Sequence, residues 1–183
     1  MGKRVIVYHG SHHRFDNAKI VKKNTRDSSK LNEGYGIYFS LDPNVAKSYG
    51  SYIYELTLDS DDIIDFRVKS NCKLLLNKII SEVKRGTGVD ISRYVDFNSI
   101  LDDLYYGDLG LHNVDVEIAM YLDSNEDYYT RHNNKALKVE SILNGLAEKL
   151  LKDKAYLFNY NIKDVGIIKS EKIIKSTVRH KIS

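Results

Sequence analysis

The apolar residues of this chain change their period twice, and that change limits the fold more than any other property of the sequence. Near the N-terminus Val5, Val7 and His9 alternate with Ile6 and Tyr8, and Tyr52-Ile53-Tyr54-Glu55-Leu56-Thr57-Leu58 alternates again. Alternation puts neighbouring side chains on opposite faces of a strand, so residues 4–9 and 52–58 are expected as strands, with shorter ones at Ile37-Tyr38-Phe39-Ser40 and Ile63-Ile64-Asp65-Phe66. Asp42-Pro43 opens a short helix, with the aspartate as N-cap and the proline at the first helical position. From Cys72 the spacing becomes three and four. Cys72, Leu75, Leu76, Ile79, Ile80 and Val83 define a helix with Ser70 or Asn71 as its cap and Gly86 as its stop, and weaker helical patterns follow at 97–106 and 114–122. Val139, Ile142, Leu143, Leu146, Ala147, Leu150 and Leu151 are expected to form one amphipathic helix with Gly145 inside it. Residues 155–160 and 165–168 return to a strand pattern. The expectation is a single α+β domain over residues 1–183: an N-terminal strand region at 1–66, a helical insert at 67–152 and C-terminal strands at 153–183.

A chain of 183 residues is long enough to bury roughly two-thirds of its unfolded surface without covalent support. Its one cysteine, Cys72, excludes an internal disulfide and a thiolate cage, and fits a reducing compartment. The first apolar run is too short for a signal peptide or a membrane span, so a cytoplasmic protein with no membrane partner is expected. Net charge of +3 conceals an uneven distribution: Lys3, Arg4, Arg14, Lys19, Lys22, Lys23 and Arg26 face only Asp16 in the first 26 residues, whereas residues 87–130 hold ten acids and one base, Arg93. A basic N-terminal region suits a pyrophosphate or a nucleic-acid backbone, and equally an ordinary solvated surface. Residues 24–33 are polar and aperiodic, as in a loop. The neighbouring His12 and His13 have no acidic or cysteine partner at a metal-binding spacing, so no metal is expected.

Two short segments carry the functional reading. Tyr8-His9-Gly10-Ser11 ends the first strand on a histidine and a glycine, and Gly34-Tyr35-Gly36-Ile37-Tyr38-Phe39 leads through two glycines into an aromatic strand. A third piece, Ala46-Lys47-Ser48-Tyr49, puts a second tyrosine eleven residues after Tyr38. A site for a flat, polar aromatic ligand needs aromatic faces and closely approaching backbone amides. Tyr38 and Tyr49 can supply the faces, and Gly10, lacking a Cβ, the backbone.

In this order the three pieces, spanning roughly the first sixty residues, resemble the ADP-ribosyltransferases of the diphtheria-toxin and poly(ADP-ribose)-polymerase type. The resemblance implies a split β-sheet core and NAD+ as substrate. It implies His9 on the ribose hydroxyls, Gly10 on the nicotinamide amide, and Tyr38 and Tyr49 against the ring, within a cradle that includes Phe39 and Ala46. Ser11 is expected toward the adenosine half and Arg14 toward the pyrophosphate. The family's third position is a glutamate at the head of a late strand; here Tyr156 stands there, or Ala155 with a one-residue shift. A His9, Tyr38, Tyr156 triad resembles members that transfer one ADP-ribose and do not elongate chains. Glu117, Glu140 and Glu171 are the acids considered as substitutes, and each reads more simply as a surface or capping residue.

The activity so implied is mono-ADP-ribosyl transfer to a macromolecular acceptor, protein or nucleic acid. The order of elements from Val116 to Asn161 is also faintly similar to bacterial toxin or phage-defence members of the superfamily, which would add an antitoxin or immunity partner. Two other readings stay open: an inactive module that binds NAD+ or ADP-ribose, and a nucleic-acid protein stacking bases on its tyrosines.

Overall fold

The computed structural model describes residues 2–14, 36–159 and 164–181, so the loop expected at 24–33 and the motif residue Gly34 lie outside the described residues. The chain divides into two compact units, Met1–Arg67 with Leu151–Ser183, and Val68–Leu150. The fold is α+β: the first unit carries a mixed sheet and the second is helical.

Among the described residues the sheet has seven strands: β1 (Arg4–Ser11), β2 (Ile37–Ser40), β3 (Tyr52–Asp59), β4 (Ile63–Asp65), β5 (Ala155–Phe158), β6 (Val165–Ile168) and β7 (Ser176–Lys181). Their order across it is β4-β5-β6-β2-β1-β3-β7. Among these described strands β4 and β5 run parallel, and the other neighbouring pairs are antiparallel. Alternation divides the side chains as the sequence suggests. Val7, Leu56, Leu58, Tyr54, Ile37, Phe39, Ala155, Leu157 and Ile168 form a buried cluster on one face, joined by Ile173. Burial of side chains this large stabilises by about 1.5–3 kcal/mol each and sets the register, since a one-residue slip would turn the whole set outward.

β1 continues two residues beyond the expected 4–9 because β3 pairs with it as far as Ser11↔Tyr52. The proline-led helix is α1 (Pro43–Lys47), and Asp42 Oδ1 accepts the Asn44 N–H at 2.8 Å as its cap. The expected end of the sheet at Ile168 needs correcting: β7 follows and pairs with β3 over six residues.

The second unit comprises α2 (Lys69–Thr87), α3 (Phe97–Tyr106), α4 (Val114–Asp123), α5 (Glu126–Leu143) and most of α6 (Leu146–Leu151). Here three expectations change. Neither Ser70 nor Asn71 caps α2, whose N-cap is Val68 with no side-chain bond. The helix also runs through Gly86 and ends at Gly88, which takes the left-handed φ of 74° that glycine adopts without strain. The periodic run from Val139 to Leu151 is two helices, because Gly145 lies at φ 67° and breaks the hydrogen-bond ladder between α5 and α6. Asp115 of α4 bridges that break: both its carboxylate oxygens accept the Ala147 N–H, each at 3.3 Å, satisfying a donor in the first turn of α6. Burial pushes the Asp115 carboxyl up to about 6. Among the described residues no helix is long and apolar enough to cross a membrane.

Candidate active site

All the sequence-expected site residues that the structure describes lie in the first unit, and most of them meet where β1 and β2 part. The β1–β3 ladder registers eight pairs, from Arg4↔Asp59 to Ser11↔Tyr52. The β1–β2 ladder registers at Tyr8↔Ser40, and beyond it the strands are joined differently: His9 Nδ1 lies 2.6 Å from the main-chain carbonyl oxygen of Tyr38. A carbonyl oxygen only accepts, so Nδ1 carries the proton and donates, which leaves Nε2 of the neutral ring as an acceptor. Burial lowers the His9 pKa, with the bond to Tyr38 opposing it, so the ring is uncharged at neutral pH. The imidazole leans at 38° to the Tyr54 ring with centroids 6.1 Å apart, and Tyr54 sits directly opposite His9 in the register.

Strand alternation gives the split two sides. The Tyr8↔Ser40 pair puts His9 on the same face as Phe39 and Tyr54, and Gly10 on the same face as Tyr8, Tyr38 and Ser40. Because the Tyr38 carbonyl is turned toward β1, the backbone groups of Ser40, two residues on, share that direction and meet those of Tyr8. Gly10 is two residues from Tyr8, so its N–H and C=O point toward β2 at Tyr38.

The glycine is required for a second reason. A Cβ on Gly10 would lie 1.9 Å from the carbonyl oxygen of Ala46 and 3.1 Å from Tyr49 Cβ. Helix α1 thus lies directly on β1, and this contact brings Tyr49, 52 % exposed, to the edge of the split. Ala46 is itself buried and contributes a packing surface and a carbonyl, not a side chain that reaches a ligand. Gly50, which none of the sequence motifs includes, permits a similar close approach: a Cβ there would lie 2.0 Å from the carbonyl carbon of Ser11. Its position directly after Tyr49 is the signal that could have marked it.

The remaining expected residues divide. Tyr38 is half-buried beside the gap. Ser11 is half-buried and its Oγ accepts the His13 N–H at 3.0 Å, so it turns the chain at the end of β1. Arg14 is exposed at the margin of the described residues. Phe39 is 4 % exposed, and its ring occupies the space above Gly166, within 2.5 Å of where a Cβ would stand; it belongs to the core and not to a cofactor cradle. Tyr156 lies in the core as well. It has no exposed surface, packs edge-on against Phe66 with centroids 5.7 Å apart and leans on Phe158 at 6.2 Å. The register Tyr38↔Ile167↔Tyr156 separates it from Tyr38 by a whole strand. Of the acids weighed as substitutes, Glu117 and Glu140 lie on helices of the other unit and Glu171 opens a 3-10 turn after β6.

No family model and no curated protein matches the sequence. Among solved structures, the crystal structure of an anti-CRISPR protein is similar over 98 % of this chain and 96 % of its own length, with 11 % identity and a TM-score of 0.44.

Proposed function

We propose that this chain binds NAD+ through the split between β1 and β2 and transfers a single ADP-ribose to a macromolecular acceptor, releasing nicotinamide. The observation that carries the reading is the 2.6 Å bond from His9 Nδ1 to the Tyr38 carbonyl, which leaves Nε2 as an acceptor where the β1–β2 ladder ends. In this reading Nε2 accepts a hydrogen bond from a ribose hydroxyl. The nicotinamide ring lies between Tyr38 and Tyr49, and the Gly10 N–H and C=O hold its carboxamide. The site holds the dinucleotide bent, which exposes the glycosidic bond. That bond breaks with its electron pair leaving on the nicotinamide nitrogen, the sugar becomes oxocarbenium-like, and an acceptor nucleophile bonds to the same carbon and gives its proton to solvent. Ser11 and Arg14 are assigned to the adenosine and diphosphate portion.

A second reading is favoured by one specific observation. With Tyr156 wholly buried, no side chain from the expected third position reaches the gap, which suits a module that binds NAD+ or ADP-ribose without turnover. Calorimetric titration with NAD+, combined with chromatography of the mixture for free nicotinamide, separates the two. Binding with stoichiometric nicotinamide release supports transfer or hydrolysis, binding alone supports the module, and no binding removes both.

A further inference from the structure

We propose that the outer edge of β7 is a docking strand for an extended acidic segment of a partner protein. This does not rest on the NAD+ reading. Among the described residues strand β7 is the last in the sheet order, and five of its six residues, all but Thr177, are exposed. Its backbone directions follow from its pairing. The Thr57 carbonyl is turned toward β7, where it accepts the Lys175 N–H at 2.9 Å. Glu55 and Ile53, two and four residues earlier, turn the same way, and their partners Val178 and His180 point back toward β3. Thr177, Arg179 and Lys181 therefore direct their N–H and C=O groups outward, as donors and acceptors for an added strand.

The side chains say which strand fits. Arg179 and Lys181 lie two residues apart on one face, and the apolar Val178, 48 % exposed, lies between them on the other. A segment reading acid–apolar–acid pairs its acids across from Arg179 and Lys181 and sets its apolar residue beside Val178. A second copy of this chain is disfavoured as the occupant, because antiparallel pairing of two β7 edges brings two sets of Arg179, His180 and Lys181 together.

Fluorescence polarisation with a labelled Glu-Val-Glu-Val-Glu peptide tests this on the full chain. Binding is expected, falling at least tenfold when the peptide is N-methylated at alternate amides, and falling likewise with R179E/K181E, which instead binds Lys-Val-Lys-Val-Lys. Thr177→Pro removes one outward N–H without touching the β3 ladder or either cation, so it is expected to abolish binding while circular dichroism and melting temperature stay unchanged. Absence of binding at millimolar peptide, equal binding of the N-methylated peptide, or equal binding by the charge-reversed chain overturns the proposal. Self-association in sedimentation that Thr177→Pro removes also overturns it, by making a second copy the occupant.

Discussion

Gly10 and Ala46 are in direct contact: a Cβ on the glycine would stand 1.9 Å from the alanine carbonyl oxygen, far inside van der Waals distance. The atom in the way is backbone, which cannot rotate aside, so Gly10→Ala must push α1 off β1 and move Tyr49 with it. A loss of about 1–3 kcal/mol in denaturant unfolding is expected, together with an NAD+ affinity reduced more than tenfold. Unchanged stability would show that α1 yields freely.

The lowered His9 pKa fixes a sign for pH. Below the unfolded value of 6.5 the unfolded chain takes up a proton that the native ring resists, so the contribution of His9 to stability is complete above that value and is lost as pH falls through the window beneath it. Affinity for NAD+ is expected to follow the same direction, level above pH 6.5 and weakening below, because a protonated Nε2 cannot accept from a ribose hydroxyl. Titrating the His9 ring signals by NMR beside a pH series of calorimetric affinities checks both; an inflection at or above 6.5 contradicts them.

Tyr49 and Tyr156 should behave oppositely. Tyr49 is half exposed, so Tyr49→Ala is expected to stay within about 0.5 kcal/mol of the parent while raising the KM for NAD+. Tyr156 is fully buried against Phe66, so Tyr156→Ala is expected to cost about 3–5 kcal/mol. Tyr156→Phe, which keeps the packing, should leave nicotinamide release at the parent rate. A selective loss of turnover in stably folded Tyr156→Phe would return that residue to the chemistry.

Asp115 makes a separate prediction for the helical unit. Its carboxyl is raised from 3.8 to about 6, so the native state holds a proton that the unfolded chain has released, and this contribution to stability falls as pH rises from about 4 to about 6. Asp115→Asn removes the titration. The difference in unfolding free energy between parent and variant, followed from pH 4 to 7, should therefore change in the parent's disfavour across that window; a flat difference would mean that the group titrates normally.

How much of this was legible in the sequence depended on whether a pattern distinguished inside from outside. The alternation through Val5 to His9 and Tyr52 to Leu58 did so, because those strands bury one face more deeply than the other. In β5 every residue is buried, so alternation carried no information about which way Tyr156 points, and its assignment rested on alignment to a motif. β7 offered a single apolar residue, Val178, and so gave no strand signal although β3 pairs with its whole length. The run from Val139 to Leu151 kept its apolar spacing across the Gly145 break, since successive helices can bury one continuous surface. The Gly10–Ala46 and His9–Tyr38 contacts depend on register between distant segments, which local periodicity does not encode.

The central claim is tested most directly by incubating the chain with NAD+ labelled on the adenylate phosphate in a cell lysate. The account predicts covalent label on a macromolecule that survives denaturation, equimolar free nicotinamide, and loss of both with His9→Ala and Tyr49→Ala but not with Tyr156→Phe. No transferred label and no released nicotinamide from the folded parent chain would contradict it.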